Sequence, residues 1–334
     1  MKPLVQAQLV NGEFGDPGLY LDFLFESRAL LFDLGDLSPL PPRKLLRLSH
    51  IFVSHTHMDH FCGFDRILRT LLGRETRLHL LGPPGFADRI GHKLAAYTWN
   101  LAPTFEADLV FDVTELAGDQ TEKSVFRCKS GFTRESGFKT RARDGVVLRE
   151  DGFEVRAVTL DHDIPCLAFA LHEHRHVNIL KDRLAALGLP VGPWLHDLKK
   201  AVLRGDPDEA LVRVAWREGE SVRETHVALG QMKDEVLRVV PGQKIAYVTD
   251  VRYHDENARR IIELARDADT LFIETPFLEE DAAIAARKNH LTAAQAGRIA
   301  REAHVKKLVP FHFSPRYQGR EEELRREAES AFLG

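Results

Sequence analysis

Ser54-His55-Thr56-His57-Met58-Asp59-His60 follows directly on Ile51-Phe52-Val53, an apolar run short enough to be a buried strand. Three imidazoles and one carboxylate within a single turn, straight after a core strand, make an economical metal site. In an extended turn His55 and His57 lie on the same side, so both rings can reach one ion. Asp59 and His60 come a step later and can turn toward a second ion. Imidazole and carboxylate donors without thiolate suit zinc and admit manganese or iron. The competing reading is a histidine-rich surface loop, which one isolated histidine would have favoured.

The same arrangement recurs along the chain. The apolar run 153–160 delivers Asp161-His162 at its end, and Lys244-Ile245-Ala246-Tyr247-Val248-Thr249 delivers Asp250. The run 307–311 delivers His312. Chance could supply one or two such ends among 16 histidines and many acids. Four at one structural position predict a single site assembled along one edge of a sheet sandwich. The candidate ligands are then His55, His57, Asp59, His60, His162, Asp250 and His312. They are too many for one tetrahedral ion and suit two ions sharing a bridging carboxylate.

Around these ends, short apolar strands alternate with helical spacing. Residues 19–25 and 29–34 read as a hairpin turning at Glu26-Ser27-Arg28. A short basic helix is expected over 43–49, longer ones over 64–72 and 86–97, and strands at 78–81, 109–113 and 167–171. Further on, helices are expected over 257–268, 279–288, 293–304 and 320–332, with a strand at 270–274 and a capping box from Thr292 to Gln295. The segment 128–143 mixes basic, aromatic and glycine residues; a solvated hairpin is favoured there over a phosphate-gripping loop. Residues 173–240 change character, with a Gly- and Pro-rich stretch from Leu187 to Trp194, a helix over 195–203 and then mixed charge. They read as an arm inserted into one domain spanning 1–334.

Composition bounds the function. A chain of 334 residues with 44% hydrophobic content has ample material for a core. A net charge of -4 argues against a protein that coats nucleic acid, though not against a local basic groove. Cys62, Cys128 and Cys166 are scattered and odd in number, which fits a reduced compartment better than a disulfide framework. The first residues lack the apolar core of a signal peptide, and no run approaches transmembrane length. The expectation is a cytoplasmic protein with no membrane partner.

The HxHxDH stretch, the later His162, Asp250 and His312, and their order resemble the metallo-β-lactamase superfamily. Within it the chain is similar to the ribonuclease Z family of tRNA 3′-processing endoribonucleases, and the likeness covers most of its length. Its most specific parts are Asn289-His290-Leu291-Thr292-Ala293-Ala294-Gln295-Ala296 and Phe311-His312-Phe313-Ser314-Pro315-Arg316-Tyr317. Residues 187–198 look like that family's substrate-arm region. The resemblance implies an αββα sandwich in the α/β class and two zinc ions. His55, His57 and His162 would hold one ion, Asp59, His60 and His312 the other, with Asp250 bridging. It implies His290 as general acid or transition-state donor and counts Asp59 with it as catalytic. It further implies an RNA substrate and a homodimer.

Four departures bear on the substrate. Residues 11–18 stand where the family has a strand and a Gly-rich turn. Phe61 replaces a small residue, Val251 replaces threonine, and the arm lacks dense Gly and Lys. None removes a ligand. The expected reaction is therefore metal-dependent phosphodiester hydrolysis, foremost endonucleolytic cleavage of tRNA precursors. The alternatives are the same chemistry on a small ester such as a cyclic nucleotide, and a non-catalytic RNA-binding scaffold. A partly exposed histidine ahead of a helix is the plain reading of His290. Arg316 divides between a phosphate contact and a structural role, while His174, His176, His254 and His304 read as surface or core histidines.

Overall fold

The computed structural model describes residues 4–24, 26–218 and 221–334. Phe25, at the expected end of the first hairpin strand, and Met1-Lys2-Pro3 lie outside the described residues. The chain divides into two compact units. Among the described residues, the larger holds 5–147, 155–171 and 244–334; the smaller holds Leu4, 148–154 and 172–243.

The larger unit opens with an eight-stranded sheet whose spatial order follows the chain. Its strands are β1 (Val5–Leu9), β2 (Leu19–Phe23), β3 (Ala29–Phe32), β4 (Leu48–Phe52), β5 (Thr76–Gly82), β6 (Leu109–Ala117), β7 (Gln120–Arg127) and β8 (Arg134–Arg141). β3 to β6 run parallel, and the strands on either side are antiparallel. Parallel neighbours need crossovers, supplied by α1 (Pro42–Leu45), α2 (Met58–Phe61), α3 (Phe64–Leu71) and α4 (Phe86–Ala95). In α3, Phe64, Ile67, Leu68 and Leu71 fall on one stripe and are buried against this sheet.

A second sheet begins with β9 (Val146–Arg149), β10 (Phe153–Asp161) and β11 (Pro165–Glu173). The chain then runs through the smaller unit. There β12 (Arg175–Ile179) pairs antiparallel with β15 (Leu237–Pro241), and β13 (Leu211–Glu218) pairs with β14 (Ser221–Ala228). Helices α5 (Lys181–Ala186), α6 (Trp194–Arg204) and α7 (Leu229–Glu235) complete a core of its own around Trp194, Leu198, Val214 and Met232.

The chain returns to the second sheet as β16 (Lys244–Val248), β17 (Thr270–Glu274) and β18 (Leu308–Phe311). The order across it is β18-β17-β16-β11-β10-β9. Helices α8 (Asp255–Ala265), α9 (Ala282–Arg287), α10 (Ala293–Glu302) and α11 (Glu321–Leu333) lie along this half. Ile261, Leu264, Ile299 and Ala300 of α8 and α10 pack on Ala246, Val248, Leu271 and Ile273 of the sheet. Between the sheets Phe32 stacks on Phe169 at 5.2 Å and meets Tyr247 at 5.8 Å. Helix, sheet, sheet, helix is the expected αββα layering.

The corrections are local. The helix expected over 43–49 is only Pro42–Leu45, because Leu48 and Ser49 already belong to β4, where Leu48 pairs with Ala29. The helix expected over 279–288 splits into a 3-10 turn, Glu279–Asp281, and α9. The capping box from Thr292 to Gln295 is present at α10. The segment 128–143 forms a turn and the solvated strand β8, all of whose residues are exposed. Among the described residues no helix is long and apolar enough to cross a membrane.

Candidate metal centre

β4 hands the chain to the quoted stretch with its direction fixed. Val53 N–H still donates to Leu81 O at 2.7 Å, and Ser54 N–H then donates to the Asp33 carboxylate at 2.6 Å. His57 is extended and caps α2, a single turn that carries Asp59 and returns His60 toward the sheet edge. The Asp33-Leu34-Gly35 turn clamps it: Leu34 N–H donates to His60 O and Gly63 N–H to Leu34 O. His162, Asp250 and His312 arrive from the ends of β10, β16 and β18.

The seven expected ligands converge. Donor atoms of His55, His57, His162 and Asp250 all lie within 4.8 Å of one another, and so do those of Asp59, His60 and His312. Asp250 faces both groups. Its Oδ2 is 3.6 Å from His55 Nε2 and 3.4 Å from His162 Nε2. Its Oδ1 is 3.4 Å from His60 Nε2 and 2.9 Å from His312 Nδ1. Asp59 Oδ2 stands 3.4 Å from the Nε2 atoms of both His60 and His312.

The far nitrogens of these rings are already engaged, which fixes which face is offered. His60 Nδ1 pairs with Asp33 Oδ2 at 3.0 Å, His55 Nδ1 with Ser54 Oγ at 3.1 Å, and His162 Nδ1 with Asn289 O at 2.8 Å. An outer partner of this sort sets a metal-ligating histidine's tautomer and orientation. Toward the centre, His55 Nε2, His60 Nε2 and His312 Nδ1 are buried without a hydrogen-bond partner. His312 Nδ1 is close to Asp250, yet the angles do not make a hydrogen bond. Lone pairs pointing at a common centre are costly in a dry site unless a cation satisfies them.

Electrostatics agrees. Burial drives the His55 imidazole down to about 2 and also lowers His57, so both stay neutral with a free lone pair. Burial opposes charge on His60 and His312 as well, but there Asp250 prevails and raises both well above the ordinary histidine value. Burial would raise Asp59, and its contacts with His312 and His60 hold it low instead. The pocket thus demands positive charge, and a proton and a metal ion compete for the same sites. The donor set fits a metal ion held through imidazole and carboxylate. Cys166 lies 3.6 Å from His55 Nδ1, but burial keeps it a thiol and thiols do not ligate.

Two residues were missed in the sequence, Asp33 and Glu274. Asp33 is fully buried and also accepts from Ser54 Oγ and Tyr247 OH. Glu274 is fully buried at the end of β17 and accepts from His290 Nδ1 at 2.8 Å and from the N–H groups of Val251 and Leu291 at 3.0 Å. Burial alone would raise Glu274 and lower His290, but each overcomes this for the other: the carboxyl is held low and the imidazole is raised. His290 is thus a half-buried imidazole whose Nδ1 faces Glu274, a contact that favours its charged form.

His290 also lines a cleft of about 260 Å³ with Phe14, Asp16, Asp59, Lys288 and His312. The remaining expectations sort out as follows. Arg316 pairs with Asp281 at 2.9 Å, a structural contact. Phe61 is buried against Phe64 and Phe86, and Val251 is core. His254 caps α8, and His174 faces Glu154 within the smaller unit. The His176 side chain lies outside the described residues.

Residues 236–313 match the family model described as a beta-lactamase superfamily domain. A ribonuclease Z of Deinococcus radiodurans is 32% identical over 91% of this chain and 88% of its own. One from Thermobifida fusca is 32% identical over 92% and 81%. Among solved structures, the metallo-β-lactamase fold protein YhfI of Bacillus subtilis aligns with a TM-score of 0.54 at 17% identity, over 98% of this chain and 92% of that one. The short form of human tRNase Z aligns with a TM-score of 0.51 at 18% identity, over 94% and 93%. The two structures establish the fold.

Proposed function

The chain belongs to the ribonuclease Z family, and on that premise we propose that it is an endoribonuclease that cleaves tRNA precursors on the 3′ side. The observation that carries this reading is the Asp250 carboxylate, with one oxygen turned to each of two histidine groups. In this reading His55, His57 and His162 hold one ion, Asp59, His60 and His312 the other, and Asp250 is shared. Zinc is the favoured metal for both positions, with manganese or iron suited to the same donors. When bound, such a pair supplies Lewis-acid chemistry, activating water and offsetting charge on the phosphodiester.

The chain's own groups do the rest. Asp250 stands between the two groups, and Asp59 orients His60 and His312 within one of them. Glu274 keeps the proton on His290 and holds the ring in place. His290 then gives its proton to the leaving ribose oxygen as the P–O bond breaks, which leaves a 3′-hydroxyl. The smaller unit is proposed as the substrate arm, since RNA longer than the cleft needs a second grip. The homodimer belongs to the same proposal, and sedimentation of the purified chain tests it.

Turnover of a precursor tRNA with a 3′ trailer, beside bis(p-nitrophenyl) phosphate, tests the function. Cleavage at the trailer junction by metal-loaded protein, lost in Asp250→Ala, is expected. Turnover of the small diester alone would keep the hydrolytic chemistry and remove tRNA as the substrate.

A further inference from the structure

Arg252 lies two residues beyond Asp250, at the entrance to α8, and none of the chemistry above uses it. Its guanidinium is spread over three partners. Nε donates to Asn289 Oδ1 at 2.8 Å, Nη1 to Asp161 Oδ2 at 3.3 Å, and Nη2 to Asp163 Oδ1 at 3.1 Å. Asp161 and Asp163 flank His162, and Asn289 precedes His290 and accepts from His162 Nδ1 through its carbonyl. One planar fork therefore grips both sides of a ligand histidine and the residue that fixes that histidine's tautomer.

Two of the three gripped residues carry strained backbone. Asp163 (φ 66°) and Asn289 (φ 61°) are left-handed without being glycine. Asn and Asp tolerate that region, but such positions persist only where surroundings hold them. The root of Arg252 is itself fixed. Its N–H donates to Asp161 O, and the buried Asn257 donates to both Asp161 O and Arg252 O while accepting from Asp161 N–H. The ion pairs are partly exposed, at 38% for Arg252 and 42% for Asp161, so their worth as plain stabilisation is small. Their geometry is what is specific.

We propose that Arg252 is a positioning residue for the centre: its fork holds the His162 and Asn289 loops in register, so that His162 presents Nε2 to the ion it shares with His55, His57 and Asp250. This rests on the metal-centre reading above. Lysine keeps the charge but cannot supply the planar three-way grip. Charge alone would be restored by Arg252→Lys, whereas the fork would not.

The test is zinc affinity of the full-length chain, measured by competition with a chromophoric chelator, for wild type, Arg252→Ala and Arg252→Lys, beside the melting temperature of each metal-free protein. Both variants are expected to lose roughly 10- to 100-fold in affinity for one of two zincs. The second zinc should be little changed and the metal-free melting temperature within a few degrees of wild type. Wild-type affinity in both variants overturns the proposal, as does full recovery by lysine or a loss that merely tracks a fall in metal-free stability. If wild type itself binds no zinc, the metal-centre reading fails, and that outcome is told apart because it appears before any variant is compared.

Discussion

His290 and Glu274 show how a single contact assigns a role. A histidine before a helix is ambiguous in sequence; one whose Nδ1 lies 2.8 Å from a fully buried carboxylate is what the proposed proton donor requires. Replacing His290 with Ala should lower kcat on precursor tRNA by about 10²–10⁴-fold. The loss on bis(p-nitrophenyl) phosphate should be much smaller, because p-nitrophenolate leaves without a proton; equal losses would point to a damaged centre. A second residue-scale prediction concerns His50, which stacks on His79 at 4.6 Å. Burial, then His79 and Arg28, lower its pKa from 6.5 to about 3. Below pH 6.5 the unfolded chain takes up a proton that the folded chain refuses, so stability falls as pH drops toward 3. Chemical denaturation at pH 7 and pH 5 should show wild type losing about 1–2 kcal/mol more than His50→Gln. Identical slopes would contradict the assignment. The five histidines and Asp59 among the seven convergent residues were legible because histidine after an apolar strand is rare, and Asp250 only because it followed a strand in the same pattern. Asp33 and Glu274 also end strands, but no histidine stands beside them in sequence, and only burial and partners set these two apart.

Among elements, legibility followed the apolar pattern. β17 was expected over 270–274 and is Thr270–Glu274; α3 and β16 sit close to their expected bounds. β8 falls within the expected solvated hairpin, whereas β13 and β14 are not read as strands: β13 alternates only briefly, with Val212 and Val214 buried, and β14 has no buried residue. The pairing of β8 and β14 comes from the neighbouring strand rather than from a hydrophobic period. The junction of the Asp33 turn with α2 and α3 depends on two glycines. A Cβ on Gly63 would stand 2.3 Å from Gly35 O, and one on Gly35 2.7 Å from Asp59 O. Gly63→Ala should therefore displace the clamp on His60 and cost about 1–3 kcal/mol. Thermal melting would register the loss, together with weaker zinc binding; an unchanged melt and unchanged affinity would show that the turn can yield.

At the scale of the whole molecule, the composition changes over 173–240, and residues 172–243 form most of the smaller compact unit. What the sequence left unread was how that segment closes on itself. Arg175 pairs with Pro241, and Glu173 N–H donates to Gln243 O at 2.8 Å, so its entry and exit are adjacent. Replacing residues 174–242 with a short Gly-Ser linker should abolish precursor-tRNA cleavage and spare hydrolysis of bis(p-nitrophenyl) phosphate. Retained tRNA cleavage would remove the arm from substrate binding. The claim on which the account turns is that Asp250 serves two ions at once. Anomalous scattering from zinc-loaded crystals measures this directly. Two zinc peaks, one beside each Asp250 oxygen, with one reached by His55, His57 and His162 and the other by Asp59, His60 and His312, are predicted. A single peak, or two peaks that do not share Asp250, would contradict it.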